Sequence, residues 1–222
     1  MTYLLHIDTS SDVGTVALGK DGVLAALRKT TETRNHASVI NLMIADVLAE
    51  AGIGIKDLNG IVVCAGPGSY TGLRIGLATA KGLCYATDIP LFLNNKLTLI
   101  AYSKYYSTDK KHDNYIAILA AREREYFTGI YNKEFNCTVS PAHIYEDQLV
   151  ELIKDKKDIM IITDVGSDII NKLFSEDIVI ENDPNINIDM WLRYALNDYN
   201  SNNNVKLEEA VPFYLKQVYT HK

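Results

Sequence analysis

Short apolar runs alternate with turn-forming residues over the first 30 positions of the chain. Tyr3 to Ile7, Thr15 to Gly19 and Val23 to Lys29 each have the length of a strand. The dipeptide Asp21-Gly22 separates the last two runs, and both residues tolerate the positive φ of a tight hairpin. The pattern therefore predicts three antiparallel strands at the start of the chain.

Helical and strand-like patterns then alternate as far as residue 106. Apolar residues recur at helical spacing over His36 to Ala51, and Gly52 follows where a helix cap is expected. The β-branched run Ile61 to Ala65 is typical of a strand buried on both faces. The next predicted elements are a helix over Gly72 to Ala86, a strand over Ile89 to Leu93 and a helix over Lys96 to Tyr106. The resulting order is β-β-β-α-β-α-β-α.

A second half begins near Asn114. Its predicted elements are strands over Tyr115 to Ala120, Tyr126 to Tyr131 and Cys137 to Ile144, a helix over Glu146 to Lys154 and a strand over Ile159 to Thr163. The eight asparagines between Asn182 and Asn204 predict a segment rich in loops. We therefore expect this half to be too short to repeat the first in full.

The order of elements in the first half is that of a ribonuclease-H-like α/β fold. Actins, heat-shock chaperones and sugar kinases (the ASKHA group) share this fold, in which a β-hairpin and a helix N-terminus converge on nucleotide phosphates. We expect two lobes, an N-terminal one over residues 1–107 and a reduced C-terminal one over residues 108–222. The fold alone does not establish function.

The loop Gly66 to Gly72 has the sequence G-P-G-S-Y-T-G and leads directly into a predicted helix. Ser69 or Thr71 can cap that helix, and its free N–H groups would favour an anion. The loop lacks the lysine of a P-loop, however, and a strand-to-helix corner also needs glycine for close packing. Composition alone therefore favours a closely packed strand-to-helix corner over a phosphate site.

The helix after this loop has two ridges of small residues. The ridges are Gly72, Gly76 and Ala80, and Ala78, Gly82 and Ala86. A glycine inside a helix costs about 1 kcal/mol relative to alanine, so close packing must recover that stability. One ridge can lie on the protein's own sheet. The other can meet the helix His36 to Ala51 or a partner protein, and spacing leaves both possibilities open.

Charge and cysteine content narrow the class of protein. With 28 acidic and 22 basic side chains the net charge is -6, and no basic stripe suited to binding tRNA or DNA unaided is present. The three cysteines, Cys64, Cys84 and Cys137, are odd in number and widely spaced, as expected of reduced thiols in the cytosol. We expect no signal peptide, and the sequence contains no apolar run long enough to span a membrane.

Several motifs together resemble one protein family. They are I-D-T-S (Ile7 to Ser10), R-N-H (Arg34 to His36), G-P-G-S-Y-T-G-L-R-I-G-L-A-T-A-K-G-L (Gly66 to Leu83), A-R-E-R-E-Y-F (Ala121 to Phe127) and V-P-F-Y-L-K (Val211 to Lys216). They closely resemble TsaB, formerly YeaZ. That family is the non-catalytic partner in bacterial synthesis of threonylcarbamoyladenosine at position 37 of tRNA.

The resemblance implies a subunit without catalytic or metal-binding residues. The catalytic paralogue TsaD has an H-x-x-x-H metal pair on its first helix, whereas here His36 is followed by Ile40 at the second position. Asp8 matches the residue that works near Mg²⁺ and phosphates in related kinases and chaperones. We interpret the following residues as the relic of a phosphate site: Asp8, Thr9, Ser10, Gly66, Gly68 and Ser69. His6, inside the first strand, is expected to be a core histidine with its hydrogen bonds satisfied.

The resemblance also implies partners. The expected function is a scaffold that binds a TsaD-like catalytic subunit, with a TsaE-like ATPase as the third member, tRNA bound only through the complex, and a homodimer through the same helices. The expected interface residues are His36, Val39, Leu42, Met43, Gly72, Leu73, Gly76, Leu77, Ala80 and Lys81. The chain would have no cofactor of its own, since ATP and threonylcarbamoyl-AMP are used by the complex, and it would be cytoplasmic, with no membrane partner.

Two enzyme classes are the alternatives. A small ASKHA-type kinase would need a larger second half than the sequence offers. A glycoprotease-like hydrolase would need a metal pair, or a nucleophile with its base. Ser69 has no histidine placed predictably beside it, and no H-E-x-x-H motif is present.

Overall fold

The computed structural model describes residues 1–30, 36–174 and 178–214. In chain order the elements are β1 Tyr3–Asp8, β2 Gly14–Lys20, β3 Val23–Thr30, α1 His36–Glu50, β4 Gly60–Cys64, α2 Tyr70–Thr87, β5 Leu91–Asn94, α3 Lys96–Ser107, β6 Asn114–Arg122, β7 Glu125–Asn132, β8 Cys137–Tyr145, α4 Glu146–Ile153, β9 Ile159–Thr163, α5 Ser167–Leu173, β10 Ile178–Glu181 and α6 Ile188–Asn200. A single 3-10 turn, Ile55–Asp57, precedes β4. The order predicted for the first half is confirmed.

The chain forms two compact units whose limits differ from the predicted lobes, 1–107 and 108–222. Unit 1 comprises residues 1–96 and 188–213, and unit 2 is built from residues 97–187. The prediction was wrong because two helices are exchanged between the halves of the sequence. Helix α3 packs its apolar side on the sheet of unit 2, and α6 packs on the sheet of unit 1.

The sheet of unit 1 has the order β3-β2-β1-β4-β5. Strands β1, β2 and β3 are antiparallel, while β4 and β5 continue the sheet parallel to β1. The predicted hairpin turn is present, with φ of 50° at Asp21 and 77° at Gly22. Gly52, with φ of 66°, follows the end of α1 as predicted, and its N–H bonds to the Ala49 carbonyl.

Helices cover both faces of this sheet. On one face, α1 and α2 pack on the alternate residues Leu5 and Ile7 of β1 and on their neighbours in β2 and β4. On the opposite face lies α6, whose Trp191 ring meets the His6 ring edge-on at 5.1 Å between centroids. Every residue of β4 is buried, as expected for a strand covered on both sides.

Helix α6 lies in the segment that we expected to be rich in loops, and that prediction was wrong. Trp191, Leu192 and Ala195 recur on one side of the helix and are fully buried against the sheet. The Trp191 indole donates to Asn94 Oδ1 at 2.9 Å, and Asn94 Nδ2 donates to Asp198 Oδ2 at 2.7 Å. Burial of this apolar side outweighs the low helix propensity of the asparagines.

His6 lies in the core, but only one of its two ring nitrogens has a hydrogen-bond partner. Nδ1 lies 3.1 Å from the Leu4 carbonyl oxygen, whereas Nε2 is buried without a partner within hydrogen-bonding distance. Burial lowers the pKa of His6 from 6.5 to about 4, against the raising effect of the Leu4 and Ala17 carbonyls. The ring is therefore neutral in the folded protein near pH 7.

We expect this histidine to weaken the fold in acid. Between pH 6.5 and pH 4 the unfolded chain binds a proton at His6 that the folded chain does not, so the free energy of unfolding falls by up to about 3 kcal/mol. Urea unfolding at pH 7.0, 5.5 and 4.5 measures this loss. His6→Gln cannot take up the proton and should lose this part of the pH dependence. An identical pH dependence in the variant would contradict the prediction.

Unit 2 repeats the topology of unit 1. Its sheet has the order β8-β7-β6-β9-β10, with β6 to β8 antiparallel and β6, β9 and β10 parallel. Helices α4 and α5 cover one face and α3 covers the other. The second half repeats the strand order of the first, but it is reduced as expected. The reduction lies in the helices, since α4 and α5 have 8 and 7 residues against 15 and 18 in α1 and α2.

This repeat removes the size argument that the sequence offered against a small kinase, because both lobes of the fold are complete in topology. The residues at the glycine loop, and not the size of the second lobe, therefore bear on whether the chain can act as a kinase. Within the residues that the structure describes, no helix combines the length and hydrophobicity needed to cross a bilayer.

Candidate functional site

The glycine loop connects β4 to α2 at the carboxyl end of the parallel strands. Gly66 has φ of +109°, a backbone conformation open to glycine, and its carbonyl accepts the N–H of Lys96 at 2.7 Å. Ser69 caps α2, because its Oγ accepts the N–H of Gly72 at 3.2 Å. Of the two predicted caps, Ser69 is the one observed.

The loop and the start of α2 lie against the turn that follows β1. A Cβ added to Gly68 would lie 2.2 Å from the Ser10 carbonyl oxygen, and one added to Gly72 would lie 1.9 Å from that of Thr9. Thr9 Oγ1 donates to the Gly72 carbonyl at 2.7 Å. These glycines therefore allow the backbones of residues 8–10 and 66–72 to touch, which is the packing role that composition favoured.

The residues predicted as the relic of a phosphate site do come together, but most of their polar groups bond to one another. The Ser69 N–H donates to the Ser10 carbonyl at 2.7 Å, and the Ser10 N–H donates to Asp8 Oδ1 at 2.8 Å. Asp8, Thr9 and Ser10 are all buried. The glycine loop is thus closed, in the sense that its polar groups bond to residues 8–10 of the same chain.

Two further side chains join this cluster and were not predicted as site residues. Lys96 Nζ donates to Ser10 Oγ at 3.1 Å, and Ser10 Oγ lies 3.8 Å from Cys64 Sγ. Burial raises the pKa of Cys64 to about 12, with Asp8 adding to the rise and Lys96 opposing it. No local pattern indicates Lys96 as a site residue, because 86 positions separate it from Ser10.

Most residues of the predicted partner interface are buried within unit 1. Six of the ten lie in the core of unit 1: Met43, Gly72, Leu73, Gly76, Leu77 and Ala80. A Cβ on Gly76 would lie 2.4 Å from Thr9 Oγ1, so this ridge of α2 faces the protein's own β1. These six residues therefore offer little surface to a partner.

The remaining four predicted residues are partly or fully accessible, or lie outside the described part. Leu42 is 65% exposed, Val39 is half-buried, and half-buried Lys81 donates from Nζ to the Ala210 carbonyl at 3.2 Å. His36 begins α1, but its side chain lies outside the described residues, as do Arg34, Asn35, Leu215 and Lys216 of the motifs.

The second small-residue ridge of α2 is the exposed one, and it adjoins an exposed stripe on α1. We call these residues the outer helical face: Asn41, Leu42, Ala45 and Ala49 of α1, and Ala78, Gly82, Tyr85 and Ala86 of α2. The two helices pack side by side on the same face of the sheet. No atom outside the local helix lies within 4 Å of a Cβ built on Gly82, and Tyr85 is 85% exposed.

The outer helical face has no charged residue among its members, although charges flank it. On the α1 side, Arg28 pairs with Glu50 at 2.6 Å and with Asp46 at 3.8 Å. On α2, the Arg74 guanidinium lies 4.1 Å from the centroid of the Tyr70 ring. Apart from Asn41, the members of the face are thus apolar or glycine, while flanking charges such as Arg28, Asp46 and Glu50 interact within the unit.

Groups of three or more potential metal ligands are absent from residues 1–30, 36–174 and 178–214. The two closest histidine contacts are ordinary pairs with a carboxylate. His112 Nδ1 lies 2.8 Å from Asp158 Oδ1, and His143 Nε2 lies 2.8 Å from Glu125 Oε2. Neither pair includes a further histidine, cysteine or carboxylate ligand.

Comparisons of sequence connect the chain with tRNA modification. The family described as "TsaD: tRNA N6-adenosine threonylcarbamoyltransferase" matches residues 29–157. The tRNA threonylcarbamoyladenosine biosynthesis protein TsaB of Bacillus subtilis is 32% identical over 158 residues, or 69% of this chain and 66% of that protein. TsaB of Haemophilus influenzae is 31% identical over 132 residues, or 59% and 55%.

The chain also resembles a catalytic protein over a shorter stretch. A tRNA N6-adenosine threonylcarbamoyltransferase of Novosphingobium aromaticivorans is 42% identical over 88 residues, which cover 40% of this chain and 25% of that protein. The matches to the two TsaB proteins cover between about half and two thirds of the length of those proteins.

Comparisons of structure agree on the fold. YeaZ from Pseudomonas aeruginosa superimposes with a TM-score of 0.82 at 25% identity, over 97% of this chain and all of that one. The activator of the 2-hydroxyisocaproyl-CoA dehydratase from Clostridium difficile, solved with bound ADPNP, gives 0.52 at 9% identity, over 99% and 100%. The predicted ribonuclease-H-like, ASKHA-type α/β fold is confirmed.

Proposed function

The chain belongs to the TsaB (YeaZ) family, and from that premise we propose that it is a non-catalytic subunit of the machinery that makes threonylcarbamoyladenosine in tRNA. It is needed for transfer of the threonylcarbamoyl group to N6 of adenosine 37. The transfer itself belongs to a TsaD-like catalytic subunit, which this chain binds and stabilises.

The outer helical face is the observation that supports this function best. A patch of small and apolar side chains on two adjacent helices lets the helices of a partner approach closely, and dispersion and buried apolar area then supply affinity. Leu42 and Tyr85 stand out from the patch with 65% and 85% of their surfaces exposed. Exposed large side chains on such a patch are suited to fill pockets of a partner.

The same face also serves a homodimer. A twofold contact uses the same patch on both copies, so a homodimer and the complex with the catalytic subunit exclude each other. The TsaD-like protein is the functional partner, and a TsaE-like ATPase is the third member of the assembly.

The closed glycine loop supports a role without chemistry in this chain. The N–H groups of Ser69, Gly72 and Ser10 bond to acceptors of the same cluster, so they do not point at a substrate. ATP and threonylcarbamoyl-AMP are therefore used by the other subunits. The net charge of -6 fits a protein that meets tRNA only through the complex, in the cytoplasm.

Reconstitution tests this function. We expect the purified TsaD-like subunit, given the TsaE-like ATPase, ATP, tRNA and threonylcarbamoyl-AMP, to form modified adenosine only when this chain is added. The chain alone, with the same substrates, should form none. Equal modification with and without the chain would contradict the proposal, and so would modification by the chain alone. Liquid chromatography of digested tRNA measures the product.

A further inference from the structure

The cluster at the carboxyl end of β1 does not suit the magnesium-bound nucleotide that active proteins of this fold hold near the residue matching Asp8. Phosphate binding at such a loop needs free N–H groups and room beside them. Here the Ser69 N–H already donates to the Ser10 carbonyl, and Gly68 touches the same Ser10 backbone. The loop and the β1 turn thus bond to each other through groups that a bound phosphate would need.

Asp8 nevertheless remains, and it needs a counter-charge. Its side chain sits at the end of β1 with the residue only 7% exposed. Withdrawing a carboxylate from water is costly unless a cation or several donors replace the solvent. The hydrogen bond from the Ser10 N–H supplies one donor but no full positive charge.

Lys96 brings that charge to the cluster. It is the first residue of α3, and its backbone N–H donates to the Gly66 carbonyl, which fixes the start of its side chain beside the loop. Its Nζ donates to Ser10 Oγ at 3.1 Å, while the N–H of the same Ser10 donates to Asp8 Oδ1 at 2.8 Å. Ser10 therefore bridges the ammonium and the carboxylate.

We propose that Lys96 is the resident cation of this cluster, taking the electrostatic role that a divalent ion has beside the first aspartate of an active ASKHA protein. The ammonium neutralises Asp8 and holds the β1 turn and the glycine loop together without metal or nucleotide. Asp8 raises the pKa of the buried Cys64 thiol and Lys96 lowers it, as expected if a negative and a positive charge both lie close to this thiol. This inference does not depend on the identity of the partner.

Thermal unfolding with and without manganese tests the inference. Lys96→Met leaves Asp8 without its counter-ion, so we expect the melting temperature to fall by about 5 °C and to recover when Mn²⁺ is added at millimolar concentration. The wild type should not respond to Mn²⁺. Lys96→Arg keeps the charge and should also not respond. Lys81→Met is the matched control, because that half-buried lysine of the same unit bonds to a backbone carbonyl.

The double variant Asp8→Asn with Lys96→Met separates charge from packing. It removes both charges, so it should be more stable than Lys96→Met and insensitive to Mn²⁺. Three results would each overturn the inference: stabilisation of the wild type by Mn²⁺, no response of Lys96→Met to Mn²⁺, or an undiminished response of the double variant. If Lys96→Met does not fold at all, a double variant that also fails to fold would overturn it as well.

Discussion

Replacing Gly72 with alanine is expected to prevent the chain from folding stably. A Cβ at this position would lie 1.9 Å from the Thr9 carbonyl oxygen, a backbone atom that cannot move without shifting the end of β1. Thr9 is itself held to α2 by the hydrogen bond from its Oγ1 to the Gly72 carbonyl. We expect a loss of more than about 4 kcal/mol, the range of severe backbone or packing defects.

Gly82→Ala is the control for this prediction. Gly82 lies in the same helix, yet no atom outside the local helix lies within 4 Å of a Cβ built there, so the substitution should follow helix propensity and stabilise by up to about 1 kcal/mol. Urea unfolding followed by circular dichroism measures both variants. A Gly72→Ala protein as stable as the wild type would show that the loop and the β1 turn do not touch.

A tryptophan at position 82 is expected to weaken binding of the TsaD-like subunit while leaving the fold intact. Gly82 lies in the outer helical face between Ala78 and Ala86, so a large side chain there holds the partner's helices away. Loss of about 2 kcal/mol weakens the complex by about 30-fold. Calorimetric titration measures the affinity, and the same variant should form less homodimer in sedimentation.

Gly166→Trp is the matched control, because Gly166 also has open space around its Cβ position but belongs to unit 2. It should bind the partner as the wild type does. If Gly82→Trp folds normally and keeps its affinity, the interface lies elsewhere. A larger residue at Gly76 would not test the interface, because it would damage the contact between α2 and Thr9.

Much of the fold follows from local signals in the sequence. The Asp21-Gly22 turn, the glycine cap after α1 and the β-branched run of β4 each have a local physical cause, so their elements could be predicted. Helix α6 was missed because asparagines mark the whole segment from residue 182 to residue 204, although only Asn197 and Asn200 lie in the helix itself. Its signal was present in the spacing of Trp191, Leu192 and Ala195.

The functional surfaces were harder to predict, because they depend on which side of an element meets the sheet. Both ridges of α2 have the same spacing of small residues, and only the position of Thr9 decides that Gly72 and Gly76 face inward. Lys96 follows β5 by two positions, and nothing local indicates that its side chain meets Ser10. Contacts between residues so far apart in the chain arise only when the sheet has formed.

The exchange of α3 and α6 between the halves has a consequence for synthesis on the ribosome. Unit 1 begins with residue 1, but the helix that covers the His6 face of its sheet comes from residues 188–200. While the polypeptide is growing, that face stays bare until nearly all of unit 2 has been translated. Unit 1 is thus begun first but completed last, and during that interval its uncovered apolar face is a site at which the growing chain can aggregate.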